Sequence, residues 1–318
     1  MKKTLLINLI ILFSLIVLIE ATFRFIFSYN VQGLSKNLIN KEIVYRFNAP
    51  NLNYGKAFGA KIYTDKNGYR IEKNQINKEG QEILFIGGSV TFGPGVKANN
   101  TFVELLNKKS LYNIKNASVF GTNLENNIKI IKNKKNNHKN IKKVFINFPL
   151  DDILSEKIEL NKNKNTNNEK NKVKNNKFIY SFNRFVRSKS AAYVFIKGII
   201  MKPQLNNYIY DLNLYNNKKL LNQLELNLLQ LSKTFDKEKI FFFSIPYAEQ
   251  VKNGCDNQDK AEKILKKIFK KMDYKIYFLK DDLCNEKNPI NFYFKNDPVH
   301  LSKSGHFAVY TVLKKFID

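Results

Sequence analysis

The chain has no tryptophan, and its 318 residues include only two cysteines and three histidines. Two cysteines, Cys255 and Cys284, permit one internal pairing and exclude a disulfide-rich framework. Neither lies in a C-x-x-C pair, and the histidines at positions 138, 300 and 306 do not cluster with them. The sequence therefore predicts no metal site and no cofactor. It leaves open whether the cysteines form a disulfide or stay as thiols.

Acidic residues are also scarce, with 27 Asp and Glu against 54 Lys and Arg, so the formal net charge is +27. Such a charge would ordinarily suggest a nucleic-acid partner. However, the lysines are mixed with asparagine and isoleucine along the whole chain, as in IKIIKNKKNNHKNIKK at 128–143. All three residue types have A/T-rich codons, so composition bias explains the charge. We predict no nucleic-acid binding, while the charge favours contact with anionic lipid or polysaccharide.

One long apolar run opens the chain, in MKKTLLINLIILFSLIVLIEATFRFIF. Its length is close to the roughly 20 residues that a helix needs to span a bilayer. A cleaved signal peptide is the alternative, but IEATFRF offers no good small-x-small cleavage site. Lys2 and Lys3 should stay in the cytoplasm. We therefore expect residues 1–28 to be a single-pass anchor, with the rest of the chain periplasmic or extracellular.

The remainder divides into a β-rich lead-in at 29–80 and a domain at 81–318. Apolar strand-like runs (EILFIGG, IKNASVF, KKVFINF, KIFFFSIP, YKIYFLK) alternate in the second part with helical patterns. This alternation predicts a parallel sheet covered by helices on both faces. At about 159–177, low-complexity sequence rich in Asn and Lys interrupts the alternation, which indicates a solvated insertion.

Four glycines surround Ser89 in EILFIGGSVTFGPGV, directly after the first of these strands. The stretch lacks the Lys-Ser/Thr pair of a phosphate loop and the G-x-G-x-x-G spacing of a dinucleotide site. A nucleophilic serine needs a base and a carboxylate that orients it. Asp297 and His300 in NDPVHLSKSGH can supply both from a loop before the last helix. His306 is more consistent with a structural role.

Taken together, these stretches resemble the SGNH, or GDSL-like, hydrolases over about residues 80–318. FIGGSVTFGPGV is similar to the family block with the nucleophilic serine, and DPVHLSKSGH to the block with the catalytic Asp and His. NASVFGTNLENN is similar to the block whose glycine, Gly121 in this chain, donates a backbone N–H to the oxyanion hole. YTDKNGYR resembles a segment of membrane-anchored members. The resemblance implies a flavodoxin-like three-layer α/β/α sandwich.

The third family block departs from the pattern, because VFINFPLDDI has Asp151 where an oxyanion-binding Asn is expected. An ionised carboxylate donates no hydrogen bond and repels an oxyanion. Loss of one such donor costs about 3–4 kcal/mol in a well-studied enzyme. Asn147 or Asn123 could replace the donor, or Asp151 could be protonated.

The resemblance implies a serine esterase or acyl-transferring enzyme with Ser89, His300 and Asp297 as its catalytic residues. Ser89, Gly121 and, at the position of the expected Asn, Asp151 would form the oxyanion hole. The expected substrate is an acylated carbohydrate or another small ester, with acetyl groups on envelope or extracellular glycans as the leading case. The alternative is a degenerate member that binds glycan, or assists assembly, without turnover.

Overall fold

The computed structural model describes residues 2–40, 47–75, 78–137, 140–154, 179, 181–252 and 260–317. Ten strands are present in this part of the chain: β1 Ile39–Asn40, β2 Phe47–Asn48, β3 Gly55–Ala57, β4 Ala60–Thr64, β5 Arg70–Ile71, β6 Glu82–Ile86, β7 Asn113–Asn116, β8 Ile141–Asn147, β9 Ile240–Ser244 and β10 Ile276–Phe278. The predicted insertion at 159–177, His138 and Cys255 lie outside the described residues.

The helices are α1 Lys2–Ala21, α2 Ser89–Phe92, α3 Phe102–Lys109, α4 Leu124–Asn137, α5 Ala191–Met201, α6 Pro203–Leu214, α7 Lys218–Thr234, α8 Ala248–Lys252, α9 Lys260–Lys271, α10 Lys280–Leu283 and α11 Lys303–Leu313. A π-helical turn, Thr22–Ile26, continues α1. Residues 3–26 have a mean hydropathy of 2.5 and are long and apolar enough to cross a membrane, as an anchor or a signal sequence.

The main sheet has the strand order β10-β9-β8-β6-β7-β5-β4-β3. Strands β6 to β10 are parallel, as the alternation of strands and helices predicted. From β6 the chain passes first to β7 on one side and then to β8 on the other. The order therefore reverses at the carboxyl end of β6, the usual position of a ligand site in such sheets.

Side chains of the central strands alternate between two cores. Leu84 and Ile86 of β6 face a core shared with helices α4, α7 and α9, whereas Ile83 and Phe85 face a core shared with α3 and α11. Because successive strand residues point to opposite faces, fully apolar strands require cover on both. The result is the expected α/β/α sandwich.

Part of the lead-in extends this sheet. Strands β3, β4 and β5 add to its edge in antiparallel pairing, with Arg70 of β5 opposite Asn116 of β7. A small separate ribbon, β1–β2, precedes them. The sequence patterns predicted β structure here but not its continuity with the main sheet.

The helices differ in how clearly the sequence indicates them. The Thr101 side chain accepts from the backbone N–H of Glu104 and so caps the N-terminus of α3. The Glu104 carboxylate accepts from Gln75 and Asn107. Helices α5 and α6 lie in a stretch for which the sequence patterns predicted no structure.

Cys284, which follows α10, is in a disulfide. Of the two alternatives left open by the sequence, this agrees with pairing. Its only possible internal partner by count, Cys255, is outside the described residues.

Candidate active site

Ser89 lies at the carboxyl end of β6, where the sheet order reverses. Gly87 and Gly88 separate it from the strand, and Ser89 begins the four-residue helix α2. A side chain at Gly87 would lie 2.6 Å from Thr91 Oγ1 and 3.2 Å from Asn147 Cβ, so only glycine fits this turn. Ser89 itself remains partly exposed. The sharp turn after the strand therefore presents its hydroxyl at the sheet edge.

His300 and Asp297 approach Ser89 from the loop before α11. His300 Nε2 is 2.8 Å from Ser89 Oγ, and His300 Nδ1 is 2.9 Å from each carboxylate oxygen of Asp297. Residues separated by more than 200 positions in the sequence thus form one hydrogen-bonded chain. The structure thus brings together the three side chains that the sequence singled out, in the order hydroxyl, imidazole, carboxylate.

Asp297 is 2% exposed, yet its environment favours the ionised form. Burial alone would raise the pKa of this carboxyl, but His300 and the backbone N–H groups of Val299 and His300 outweigh burial and lower it. An ionised Asp297 accepts a hydrogen bond from Nδ1–H and thereby leaves Nε2 of His300 as the acceptor for the Ser89 hydroxyl.

Several side chains hold this pair in place. Gln32 Nε2 donates to Asp297 Oδ2 at 3.3 Å, and Gln204 Nε2 donates to the Asp297 carbonyl at 3.1 Å. The Phe58 ring packs edge-on against His300, with 4.9 Å between ring centroids. Isolated residues with no local motif, such as Gln32, Phe58 and Gln204, carried no signal that sequence reasoning could have used.

The loop after α2 depends on a buried arginine. Arg70 is 4% exposed and its guanidinium donates to the carbonyl oxygens of Phe92, Gly93 and Val96. Burial lowers the pKa of Arg70 to about 9. The guanidinium thus fixes the segment that follows the serine turn. The segment YTDKNGYR was recognised in the sequence, but the role of its arginine was not.

His306 has the structural role that the sequence favoured. It is fully buried, and its Nδ1 lies 3.3 Å from the Phe102 backbone N–H, which donates to it. Burial, followed by the charges of Arg70 and His300, lowers its pKa to about 3. A side chain at Gly93 would lie 2.9 Å from His306 Nε2, so this histidine packs directly beneath the loop held by Arg70.

The loop with Gly121 lies beside the serine turn. Thr122 Oγ1 donates to the Gly87 carbonyl at 3.2 Å, and the Val119 N–H donates to the same oxygen at 3.0 Å. A Cβ at Gly88 would be 3.3 Å from the Thr122 carbonyl. Gly121 has φ +65°, a conformation that glycine adopts without strain. The loop is therefore near enough to share an oxyanion site with Ser89.

Asp151 lies in the turn Leu150–Ile153 after β8, and its charge interacts with that of His300. It is therefore near the Ser89 site. Asp151 is exposed at the surface. Even so, desolvation by the surrounding protein raises the pKa of its carboxyl, and this effect exceeds those of a backbone hydrogen bond, Tyr247 and His300, which lower it. The neighbouring Asp152 is buried, and desolvation followed by the charge of Asp151 raises its pKa.

A third carboxyl joins this group through a tyrosine. Tyr247 Oη donates to Asp211 Oδ2 at 2.7 Å, and Tyr247 also lies close enough to Asp151 to lower the pKa of its carboxyl. Burial, followed by the charge of Asp151, raises the pKa of Asp211 to about 7. We call Asp151, Asp152, Asp211 and Tyr247 the acidic cluster. Asp211 and Tyr247 come from regions of the sequence that carried no functional motif.

The two asparagines considered as replacement donors have different surroundings. Asn123 Nδ2 donates to the Leu154 carbonyl, and its Oδ1 accepts from Asn126 at the start of α4. Asn147 is fully buried, and its Oδ1 accepts from the Ile245 N–H, while its Nδ2 has no partner in the described structure. Asn123 is therefore engaged elsewhere, and Asn147 retains a spare donor beside Gly87.

Neither a family model nor a curated protein matches this chain. Solved structures similar to it are SGNH or GDSL hydrolases. A lipase/acylhydrolase from Enterococcus faecalis is 13% identical, covers 75% of this chain and 97% of its own, and has a TM-score of 0.43. TesA is 13% identical over 74% of this chain and 99% of its own, with a TM-score of 0.41. The esterase EstA from Pseudoalteromonas is 12% identical over 74% and 98%, with a TM-score of 0.39.

Likenesses of this size carry no conclusion for the chain, so its function must be inferred from its own residues.

Proposed function

We propose that this chain is a serine esterase or acyl-transferring enzyme of the SGNH type, with Ser89 as nucleophile. The hydrogen-bonded chain Ser89–His300–Asp297 supports the proposal most directly. It joins a partly exposed hydroxyl, a base within hydrogen-bonding distance and a carboxylate whose lowered pKa keeps it ionised. No structural role requires all three groups in this order at the switch point of a sheet.

In the proposed reaction, Ser89 Oγ attacks the ester carbonyl while His300 Nε2 takes the hydroxyl proton. The oxyanion of the tetrahedral intermediate accepts hydrogen bonds from the backbone N–H groups of Ser89 and Gly121. When the C–O bond breaks, protonated His300 gives its proton to the leaving alcohol and an acyl-Ser89 ester remains. His300 then removes a proton from water or an acceptor hydroxyl, which attacks the acyl group and regenerates Ser89.

The proposed substrate is a short acyl ester, in particular an acetyl ester of an envelope or extracellular glycan. This part rests on the sequence resemblance to membrane-anchored family members. Water and a second sugar hydroxyl would complete the same reaction, so hydrolysis and transfer share their first half.

A second candidate function is glycan binding without turnover, and the acidic cluster favours it. Asp151 brings negative charge toward a site where the enzyme reaction would develop negative charge.

Reactivity toward a fluorophosphonate probe separates these two functions. We expect the full chain in detergent to label at Ser89 and Ser89→Ala to lose the label. Ser232→Ala, on the surface of α7, is the matched control and should label normally. If native chain and control both resist the probe while the fold is intact, the binding function replaces the enzyme.

We also propose that the N-terminal helix is an uncleaved anchor that leaves the remaining chain outside the cytoplasm. An alkaline phosphatase fusion after residue 40 should then be active, and the full-length protein should stay in the membrane fraction. A shortened, soluble product would indicate a cleaved signal sequence.

A further inference from the structure

Helix α5 has two apolar faces, of which only one is covered. Ala191, Val194 and Gly198 are buried against the domain. Ile196, Ile199, Ile200 and Met201 lie on the other side and are between 52% and 72% exposed. The one charged residue of the helix, Lys197, is partly buried and donates to Asn183 Oδ1 at 3.0 Å. A surface helix of a soluble domain normally has several polar residues on its outward face, and a helix this apolar belongs in a core or a membrane environment. The outward face of α5 therefore needs an apolar environment.

The same helix is joined to the end of the N-terminal span. Glu20, in the last turn of α1, accepts at Oε1 from the Ala191 N–H (2.8 Å) and at Oε2 from Ser190 Oγ (2.8 Å). Arg24 donates to the Lys189 carbonyl. The rings of Phe23 and Phe195 stack with their centroids 4.5 Å apart. Helix α5 thus begins where the membrane-spanning stretch ends.

Apolar exposure continues across this junction. Phe25 is 82% and Ile26 is 72% exposed in the π-helical turn that contacts α5. Exposed lysines stand at both ends of the helix, Lys189 before it and Lys202 after it. Apolar residues flanked by lysines are typical of a helix that lies in the boundary between lipid headgroups and acyl chains.

We propose that Phe25, Ile26, Ile196, Ile199, Ile200 and Met201, the docking face, lie in the surface of the bilayer that holds the anchor. The proposal rests on the anchor described under Proposed function. Continuity with the spanning helix selects the bilayer as occupant, because α5 is bonded to the residue at which that helix emerges. The net charge of +27 adds attraction to anionic lipid.

The helix that carries the docking face is also packed against the loop of the proposed active site. A Cβ at Gly198, on the buried side of α5, would lie 1.9 Å from Asn296 Nδ2, so the helix packs directly on the residue before Asp297. Gln204, at the start of α6, bonds the Asp297 carbonyl. The loop that carries His300 is therefore attached to the docked helix. Esters presented at the membrane surface should reach Ser89 more readily than esters in bulk solvent.

The absence of tryptophan makes a direct test possible, because one introduced tryptophan reports alone. Full-length Ile200→Trp is reconstituted in vesicles that contain anionic lipid and a bromine-labelled phosphatidylcholine. An interfacial helix buries its apolar face about 5–10 Å deep, so we expect about two-fold quenching or more. Leu111→Trp is the control, since residue 111 is 97% exposed and precedes β7, at the amino ends of the parallel strands and away from the Ser89 edge. Its emission should not change.

A second variant removes the face without touching the site. Ile199→Asp with Ile200→Asp should abolish bromolipid quenching of a Met201→Trp reporter. It should leave turnover of a water-soluble ester unchanged and lower turnover of a vesicle-embedded ester about ten-fold.

Equal quenching by bromolipid of the tryptophans at residues 200 and 111 would overturn the proposal. The proposal would also be overturned if the chain formed dimers in which the tryptophan at residue 200 is shielded from water but not quenched by bromolipid. The docking face would then join two copies of the chain. Quenching requires no catalysis, so an unreactive Ser89 would refute the esterase and leave docking intact. A chain that fails to float with vesicles would refute the anchor and docking together.

Discussion

The two halves of the candidate site are built very differently. On the nucleophile side, every polar group of Ser89, His300 and Asp297 that the reaction uses has a hydrogen-bonding partner. On the proposed oxyanion side, Asp151 and Asp211 are carboxyls whose pKa values are raised. For the proposed reaction, the groups that transfer the proton are thus already in hydrogen-bonding contact, whereas an ionised Asp151 would oppose the negative charge of the oxyanion. We therefore expect the oxyanion side to limit the rate, and the following changes test that comparison.

The largest effect should come from breaking the nucleophile side with Asp297→Asn. An amide can donate to Nδ1 and so favours the wrong tautomer of His300, which costs about 10⁴-fold in kcat in a serine protease triad. We expect a loss of about 10³- to 10⁴-fold on an activated acetyl ester, measured by release of the alcohol.

Asp273→Asn is the matched control, because its carboxyl is 92% exposed and it precedes β10, at the amino ends of the parallel strands and opposite the Ser89 edge. It should retain the native rate. A loss of less than ten-fold in Asp297→Asn would mean that His300 is oriented without this carboxylate.

A smaller effect, of opposite sign, should follow from Asp151→Asn on the oxyanion side. The amide removes repulsion and adds a donor, and we expect about a ten-fold gain in kcat, which corresponds to about 1.4 kcal/mol. Removal of the Asp151 charge also removes its electrostatic interaction with His300, which opposes the gain. A net gain would show that repulsion of the oxyanion is the larger of these effects.

The measurement is again turnover of an activated acetyl ester, with Ser89→Ala added to the same variant to show that the gain depends on the nucleophile. A slower Asp151→Asn enzyme would assign Asp151 a positive role, as a protonated donor or a substrate contact.

The smallest effect concerns stability. Burial and the charge of Asp151 raise the pKa of Asp211 to about 7, well above its value of 3.8 in an unfolded chain. A carboxyl with a raised folded-state pKa contributes its full stability below about pH 4 and loses it as the pH rises through about 7. Asp211→Asn keeps an acceptor for Tyr247 and cannot ionise. It should therefore raise the free energy of unfolding at pH 8 by about 1–3 kcal/mol relative to the native chain.

Thermal unfolding of the full chain in detergent at pH 5 and pH 8 measures this difference. The melting temperature of Asp211→Asn should change less between the two pH values than that of the native chain. Parallel shifts in both proteins would mean that Asp211 does not carry a proton in the folded state at pH 5.

Local patterns in the sequence were sufficient for much of the fold. All five apolar runs became the parallel strands β6 to β10, because a strand that is apolar on both faces has few other stable environments. Helices α3, α4, α7, α9 and α11 followed from their periodicity. Helices α5 and α6 were missed, since the outward face of α5 is as apolar as its inward face and has no amphipathic pattern.

Ser89, Asp297 and His300 could be named from the sequence, because each lies in a short motif and their chemical roles require one another. Their pairing across more than 200 residues was an inference from sheet geometry, since parallel strands bring their carboxyl ends to one edge. The supporting residues Gln32, Phe58 and Arg70 act through long-range contacts that leave no local pattern.

The sequence by itself determined the parallel strands β6 to β10, the helices α3, α4, α7, α9 and α11, and a first helix long and apolar enough for a membrane. It also named the serine, histidine and aspartate of the proposed reaction. These properties depend on residues close together in the chain. Only the tertiary structure decided that Asp151 lies close to Asp211 and Tyr247, and that α5 joins the end of α1 to the loop of Asp297. Burial and charge interactions arise between distant segments, so pKa values and exposed faces are defined only after the chain has folded.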